Sequence, residues 1–488
     1  MKKKQIIIIV LLIAVAAVGL YLFLIYRNNG KAVDGVYSEN TSADPCECET
    51  SWFPHEQTPP PKEGDGSPFD SANTTNCDFH QWSWQKFLWL TKPLPNGNPL
   101  FLDSLKLVTP EMAVVPLPPG LKLVLSSINQ AGSEGVLLSN PKINKIADTV
   151  YYSIHVNNKF FDKATRMADS IYSKKIPYSN LETFPVGAVE LKVSWVNADA
   201  IPKDRQADYF ITKASVMNKN KKYVQKNVAL LGMHVVGVVK NHPEFIWATF
   251  EHQDMAPVYD KKDNVVTSAN EKLLYEKGTT SGLKGITWDS ISPLEPNKAF
   301  ILYEYGVPKE VGSNSYMATS QAEPANFNNI VNINKCVASK LKGVFRNYFY
   351  NGSIWLNFDG MSSEEQAVAI VTRKISSALP DSLARGSVNL ANITMETYTQ
   401  TFKKDIHAIS NKNLVNCFTC HQSKNIDTIN KGKSPLYLSH VFESYLYTNT
   451  PVPAVTAKNA NSSLKSRRIE ETRKLKVKQF EDFVRENK

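Results

Sequence analysis

Residues Ile6 to Tyr26 form an unbroken low-polarity run directly behind Lys2, Lys3 and Lys4. At about 1.5 Å per residue such a run is roughly 31 Å long as a helix, one bilayer core. A cleaved signal peptide has a shorter apolar stretch and ends in small residues. This run ends instead in Leu20, Tyr21, Leu22, Phe23, Leu24, Ile25, Tyr26 and Arg27. The expectation is an uncleaved single-pass anchor over 1–27, with the lysines held inside and everything after Arg27 outside. A long cleaved signal would change the anchorage but not the compartment. A lipid-attachment cysteine would have to follow the run directly, and Cys46 and Cys48 lie about twenty residues too far along. The constraint on folding is strong: the rest of the chain must fold where thiols are oxidised.

Net charge is +10 over 488 residues, but the two ends supply most of it. Lys2, Lys3, Lys4 and Arg27 give +4, and 465–488 gives another +4 from nine Lys/Arg against five Asp/Glu. The interior is close to neutral, which argues against a nucleic-acid-binding protein. The tail, 464–488, has Ile469, Leu475, Val477, Phe480, Phe483 and Val484 spaced as one helical face and reads as a basic helix. Residues 28–75 are rich in Gly, Ser, Asn, Asp and Pro, with Pro59, Pro60 and Pro61 in the middle, and read as a flexible linker.

From residue 76 to about 400 a β-rich body is expected. His80 to Leu90 (HQWSWQKFLWL) places Trp84, Phe87 and Leu88 at helical spacing and predicts a buried helix. In Val189–Val196, Val189, Leu191, Val193 and Trp195 alternate with Glu190, Lys192 and Ser194, as in a strand. Tyr209–Met217, Val228–Lys240 and Phe245–Phe250 follow closely and predict an antiparallel sheet of at least four strands. Helical signals return at 362–376 and at Pro435–Tyr447. The fold class is α+β: a β-rich antiparallel-sheet body, then a small helical C-terminal region over 401–463, with one N-terminal transmembrane helix in front.

The densest chemistry lies at Cys417, Phe418, Thr419, Cys420 and His421, which spell CFTCH. Two thiols at this spacing can add across the vinyl groups of a haem, and the histidine after them then serves as proximal iron ligand. One covalent haem c is therefore the expected cofactor. Half a zinc site or a dithiol redox pair are the competing readings. Zinc needs four ligands while the other cysteines lie far upstream, and a thioredoxin-like pair needs a strand-to-helix approach that the polar 408–416 does not suggest.

The distal side of such a haem decides its use. A methionine there suits electron transfer, a second histidine lowers the potential, and an open position admits small ligands. No methionine follows Cys420, so Met395 is the nearest candidate, with His440 and His234 as rivals. His234 in GMHVVGVV also reads as a core histidine, and His252 beside Glu251 and Asp254 as a salt-bridged sheet corner or a proton-moving cluster. His80 reads as a cap, a surface residue or a catalytic one. Cys46, Cys48, Cys77 and Cys336 are even in number and allow three pairings. Cys46 and Cys48 are too close to bridge each other easily, so separate partners are expected.

The segments SWQKFLWL (83–90), LLGMHVVGVVKNHPEFIWATFEH (230–252) and NITMETYTQ (392–400), followed by CFTCH, resemble a family of poorly characterised bacterial cytochrome c domain-containing proteins with one C-terminal CxxCH. The resemblance implies a monohaem, exported protein whose body is integral to its function, and it adds weight to Met395 as a ligand. The expected function is then one-electron transfer between redox partner proteins by a cytochrome anchored in the inner (cytoplasmic) membrane, with its C-terminal part in the periplasm. About 340 residues between Cys77 and the CxxCH exceed what a carrier needs. They keep open a haem-dependent oxidoreductase, peroxidase-like or substrate-oxidising, and more remotely a haem-based sensor or binding module.

Overall fold

The computed structural model describes residues 45–71, 74–130, 133–134, 138–144, 147–173, 177–218, 220–255, 271–274, 307–308, 316–317, 324–372, 375, 383–387, 390, 392, 394–395, 417–424, 432–450, 464–472 and 474. Nine strands build one sheet: β1 (Lys106–Val108), β2 (Val124–Leu125), β3 (Tyr151–Val156), β4 (Val189–Asn197), β5 (Ile211–Met217), β6 (Tyr223–Val239), β7 (His242–His252), β8 (Tyr348–Leu356) and β9 (Ala384–Gly386). Their order is β1-β3-β4-β6-β7-β8-β9. The first half of β6 pairs with β5, whose outer edge carries β2 in parallel; every other pair is antiparallel. The class is α+β with a large antiparallel sheet.

Helices cover both faces of this sheet. One face takes α1 (Asn76–Thr91) and α3 (Pro324–Lys340); the other takes α2 (Asn158–Ser173), α4 (Ser363–Thr372), the single turn α5 (Cys417–Cys420) and α6 (His440–Thr448). Strand alternation divides the side chains. Leu191, Val193 and Trp195 of β4 join Met233 and Val235 of β6 and Ala248 and Phe250 of β7 under α1, while Val236 and Trp247 face the other way.

The α1 face is aromatic and cross-linked. α1 starts at Thr75, whose hydroxyl accepts from the Asp78 amide while the Asp78 carboxylate accepts from the Thr75 amide, a reciprocal cap. Phe87 stacks on Phe250 at 4.1 Å between centroids, and Trp84 meets Phe250 edge-on at 5.1 Å. Disulfides join Cys46 to Cys77 and Cys48 to Cys336, separate partners for the two neighbouring cysteines.

The linker expected over 28–75 does not extend that far. From Cys46 the chain is built into the body: Trp52 and Phe69 are buried in the α1 core, and the buried Lys86 of α1 holds Glu63 at 2.8 Å. The composition is that of a linker, but two disulfides and two buried aromatic rings supply the tertiary contacts that order it. Nor does the core divide near 400. Phe418, Leu438, Val441 and Phe442 share one apolar cluster with Val236 and Trp247 of the sheet, so the CFTCH segment packs as part of the body. Residues 464–472 are helical, within the expected basic tail. Among the described residues no helix is long and apolar enough to cross a membrane. The apolar run at 6–26 lies outside them.

Candidate functional site

The CFTCH segment closes one helical turn. The His421 amide donates to the Cys417 carbonyl at 2.8 Å, which places Cys417, Cys420 and His421 on one side of the turn. Phe418 points the opposite way and is buried, its ring edge-on to Trp247 at 6.3 Å. An apolar second residue thus anchors the turn to the sheet and leaves the thiol side outward. Cys417 is half-buried and Cys420 exposed, and both are thiols, unlike the four paired cysteines.

His421 is held on three sides. Its Nδ1 lies 2.8 Å from the Leu438 carbonyl. A carbonyl only accepts, so Nδ1 carries the proton and the neutral ring keeps its lone pair on Nε2. The ring lies 4.2 Å from that of Trp247 and stacks on His440 at 4.0 Å with 19° between planes. His440 Nε2 in turn donates to the Cys420 carbonyl at 3.1 Å. The Leu438 carbonyl is presented by a 3-10 turn, Pro435–Leu438, that Ser434 caps. Ser439 then caps α6 through the Phe442 amide and donates its hydroxyl to Glu190 Oε2 of β4 at 2.7 Å. The Ser439 cap ties the start of α6, and with it His440, to the sheet.

On the same face runs a polar strip. Cross-strand pairing aligns Glu190 with Val236 and Trp247, then Lys192 with His234 and Thr249, then Ser194 with Gly232 and Glu251. Residues directly opposite share a face, so His234 lies one step along from Trp247. The Lys192 ammonium sits 5.0 Å over the Tyr152 ring. At the far end the strip carries 392–395. Asn392 Nδ2 donates to Thr249 Oγ1 at 2.7 Å, the Thr394 and Ser194 hydroxyls are 2.7 Å apart, and Tyr152 donates to the Thr394 carbonyl at 2.9 Å. Only glycine fits at 232, because a Cβ there would come within 2.6 Å of Thr394 Oγ1. Met395 is fully buried beside this anchor. His421, His234 and Met395 are therefore on one sheet face. The Gly232 and Val236 registers are four residues apart, about 13 Å along the strand.

His440 comes to His421 face to face. Imidazoles binding opposite sides of one iron point their nitrogens at each other across the metal, so a ring stacked flat against His421 is on the wrong side for that role.

The donor set fits a haem better than zinc. A porphyrin brings four equatorial nitrogens and asks the chain for thiols and one or two axial groups. Zinc asks for four protein ligands, and among the described residues no three His, Cys, Asp or Glu side chains gather as a metal site.

The remaining histidines fall elsewhere. His252 and Glu251 point to opposite faces, which separates the cluster expected there. His252 stacks on Tyr209 at 3.8 Å and donates to the Asp208 carbonyl, while Asp254 pairs with Arg205 and Lys272. Burial lowers the His252 pKa to about 4, so the ring is neutral near pH 7 and suits a sheet corner rather than proton transfer. His80 is neither a cap nor a surface residue: it lies within α1 on its buried side, with Nδ1 2.8 Å from the Tyr350 hydroxyl, and burial lowers its pKa to about 3. Trp247, the Leu438 carbonyl and Ser439 were not singled out from sequence. Alternation with His234 places Trp247 on the site face, but nothing local marks the other two.

No known protein family, curated protein or solved structure matches this chain. What the site can do follows from its own residues.

Proposed function

We propose that the chain is a monohaem c-type cytochrome anchored in the inner membrane and facing the periplasm, and that it passes single electrons between protein partners. Cys417 and Cys420 would hold the haem through thioether bonds, and His421 would be its proximal ligand. One observation carries the reading: the Leu438 carbonyl takes the His421 Nδ1 proton and so fixes the tautomer and orientation of the ring, as outer partners do for metal-ligating histidines. Bound haem would supply a one-electron iron couple whose potential follows its axial ligands.

Trp247 and His440 act as a clamp on the proximal ring, limiting its rotation. The sixth ligand is then sought along the strip rather than from α6. Two residues on the strip are candidates: His234, one register step from Trp247, and the fully buried Met395, beside the Gly232 register about 13 Å from that of Trp247. Export is supported by the apolar run behind three lysines and by two disulfides, which form and persist outside the cytoplasm.

The test is expression with a haem c maturation system, followed by denaturing extraction and redox-monitored spectroscopy. Haem that stays with the chain after extraction, low-spin and with a reversible one-electron couple, is the expected result. Absence of covalent haem overturns the cofactor. A high-spin ferric spectrum that binds cyanide would move the assignment from carrier to haem-dependent oxidoreductase.

A further inference from the structure

The hairpin of β5 and the first half of β6 projects positive charge alone. Between Asp208 and Glu244 the chain has no acidic residue, and the described hairpin carries Lys213, Lys221, Lys222 and Lys226. Lys213 and every residue from Lys221 to Asn227 are exposed, including Tyr223 at 54% and Val224 at 36%. The tip is well formed. Asn218 Oδ1 accepts from the Asn220 and Lys222 amides at 3.0 Å each, and the Asn218 amide donates to the Lys222 carbonyl at 2.8 Å. The lysines and the tyrosine are thus presented on a defined arm.

We propose that this arm docks on an anionic lipid surface. The inference rests on the anchored reading above and deepens it. Three observations favour lipid over an acidic redox protein. The tip combines lysines with an exposed tyrosine and valine, and aromatic rings settle at the headgroup level of a bilayer while lysines meet its anionic charge. Tyr223 is thirteen residues along β6 from Val236, the register of Trp247, so it lies up to about 43 Å from the CFTCH site along the strand. A redox protein seated on the tip would be too distant for direct electron transfer. Finally, the base of the arm lies near where the chain enters the body. The Phe210 ring stacks on Phe345 at 5.5 Å, and Phe345 meets His55 at 5.4 Å, seven residues after Cys48 is cross-linked to Cys336. Docking would hold the body against the membrane and leave the haem face turned to partners.

The experiment places the full-length chain in phosphatidylcholine nanodiscs with and without phosphatidylglycerol, labels amines at low ionic strength and reads each lysine by mass spectrometry. Attraction worth about fivefold per lysine near an anionic surface predicts clear protection of Lys213, Lys221, Lys222 and Lys226 in the anionic discs, lost at high salt, where the Debye length shortens. The exposed Lys424 and Lys433 should label equally in both. Equal labelling of the hairpin lysines in the two discs overturns the proposal while leaving the anchor intact. A chain that fails to enter discs overturns the anchor instead, and salt-sensitive cosedimentation with phosphatidylglycerol vesicles, lost in K221Q/K222Q/K226Q, then decides the arm by itself.

Discussion

The two faces of the sheet treat their histidines in opposite ways. On the α1 face four of the histidines, His55, His80, His155 and His252, are buried among aromatic rings, and burial lowers their pKa values to about 4, 3, 3 and 4. On the other face His234, His421 and His440 are only partly buried and lie along the strip that carries the thiols. The first arrangement suppresses ionisation and makes histidine a packing residue. The second fixes the orientation of His421 and His440 through carbonyls and stacking, so the site belongs to the face whose histidines are only partly buried.

That contrast can be broken most forcefully at Phe87. Phe87→Ala removes a fully buried ring from the α1 face and should cost about 3–5 kcal/mol in urea unfolding. The haem spectrum at low temperature should survive, and a spectrum lost together with the stability would mean that the two faces are not separable. Opening the Cys48–Cys336 bridge with the double serine variant should cost roughly 2–5 kcal/mol, read as a lowered thermal midpoint, again with the spectrum retained.

The buried histidines make a pH prediction. Their folded pKa values lie below the ordinary 6.5, so between about 6.5 and 4 the unfolded chain binds more protons than the folded one. Their contribution is complete above 6.5 and falls as pH drops through this window. Urea midpoints measured from pH 7.5 to 4.5 should decline, and His252→Gln should flatten the decline; a midpoint independent of pH would contradict the burial argument.

On the site face the effects on stability shrink and the spectroscopic ones grow. His421→Ala should change the stability of the haem-free chain by roughly 1 kcal/mol while abolishing the native axial ligation. The smallest effect is expected from His440→Phe, which keeps a flat ring beside His421. Low-spin character should persist with a shifted potential, whereas conversion to high spin would make His440 the sixth ligand and overturn the clamp.

Much of this was legible from local pattern. The alternation in Val189–Trp195 announced β4 and the spacing in HQWSWQKFLWL announced α1, because each depends on neighbours within a few residues; CFTCH marks its two thiols and histidine on the same local basis. Tyr151–Val156 escaped because it is covered on both faces, where alternation no longer separates apolar from polar positions. α2 and α3 went unpredicted, and β8 carries Gly352 at a bulge that interrupts its pattern. The ordered stretch 45–71 was hidden by a composition that only cross-links and remote packing overcome.

By itself the sequence determined an even set of thiols apart from CFTCH, the pentapeptide, the apolar run and the strand periodicity, all of which are short-range or compositional. Only the tertiary structure decided which cysteines pair, which sheet face receives the CFTCH turn, and that Trp247 and His440 flank His421 while Asn392 and Thr394 are anchored further along the same strip. Those outcomes join residues far apart in the chain, through strand register and the packing of loops on a sheet face, and no local spacing encodes them.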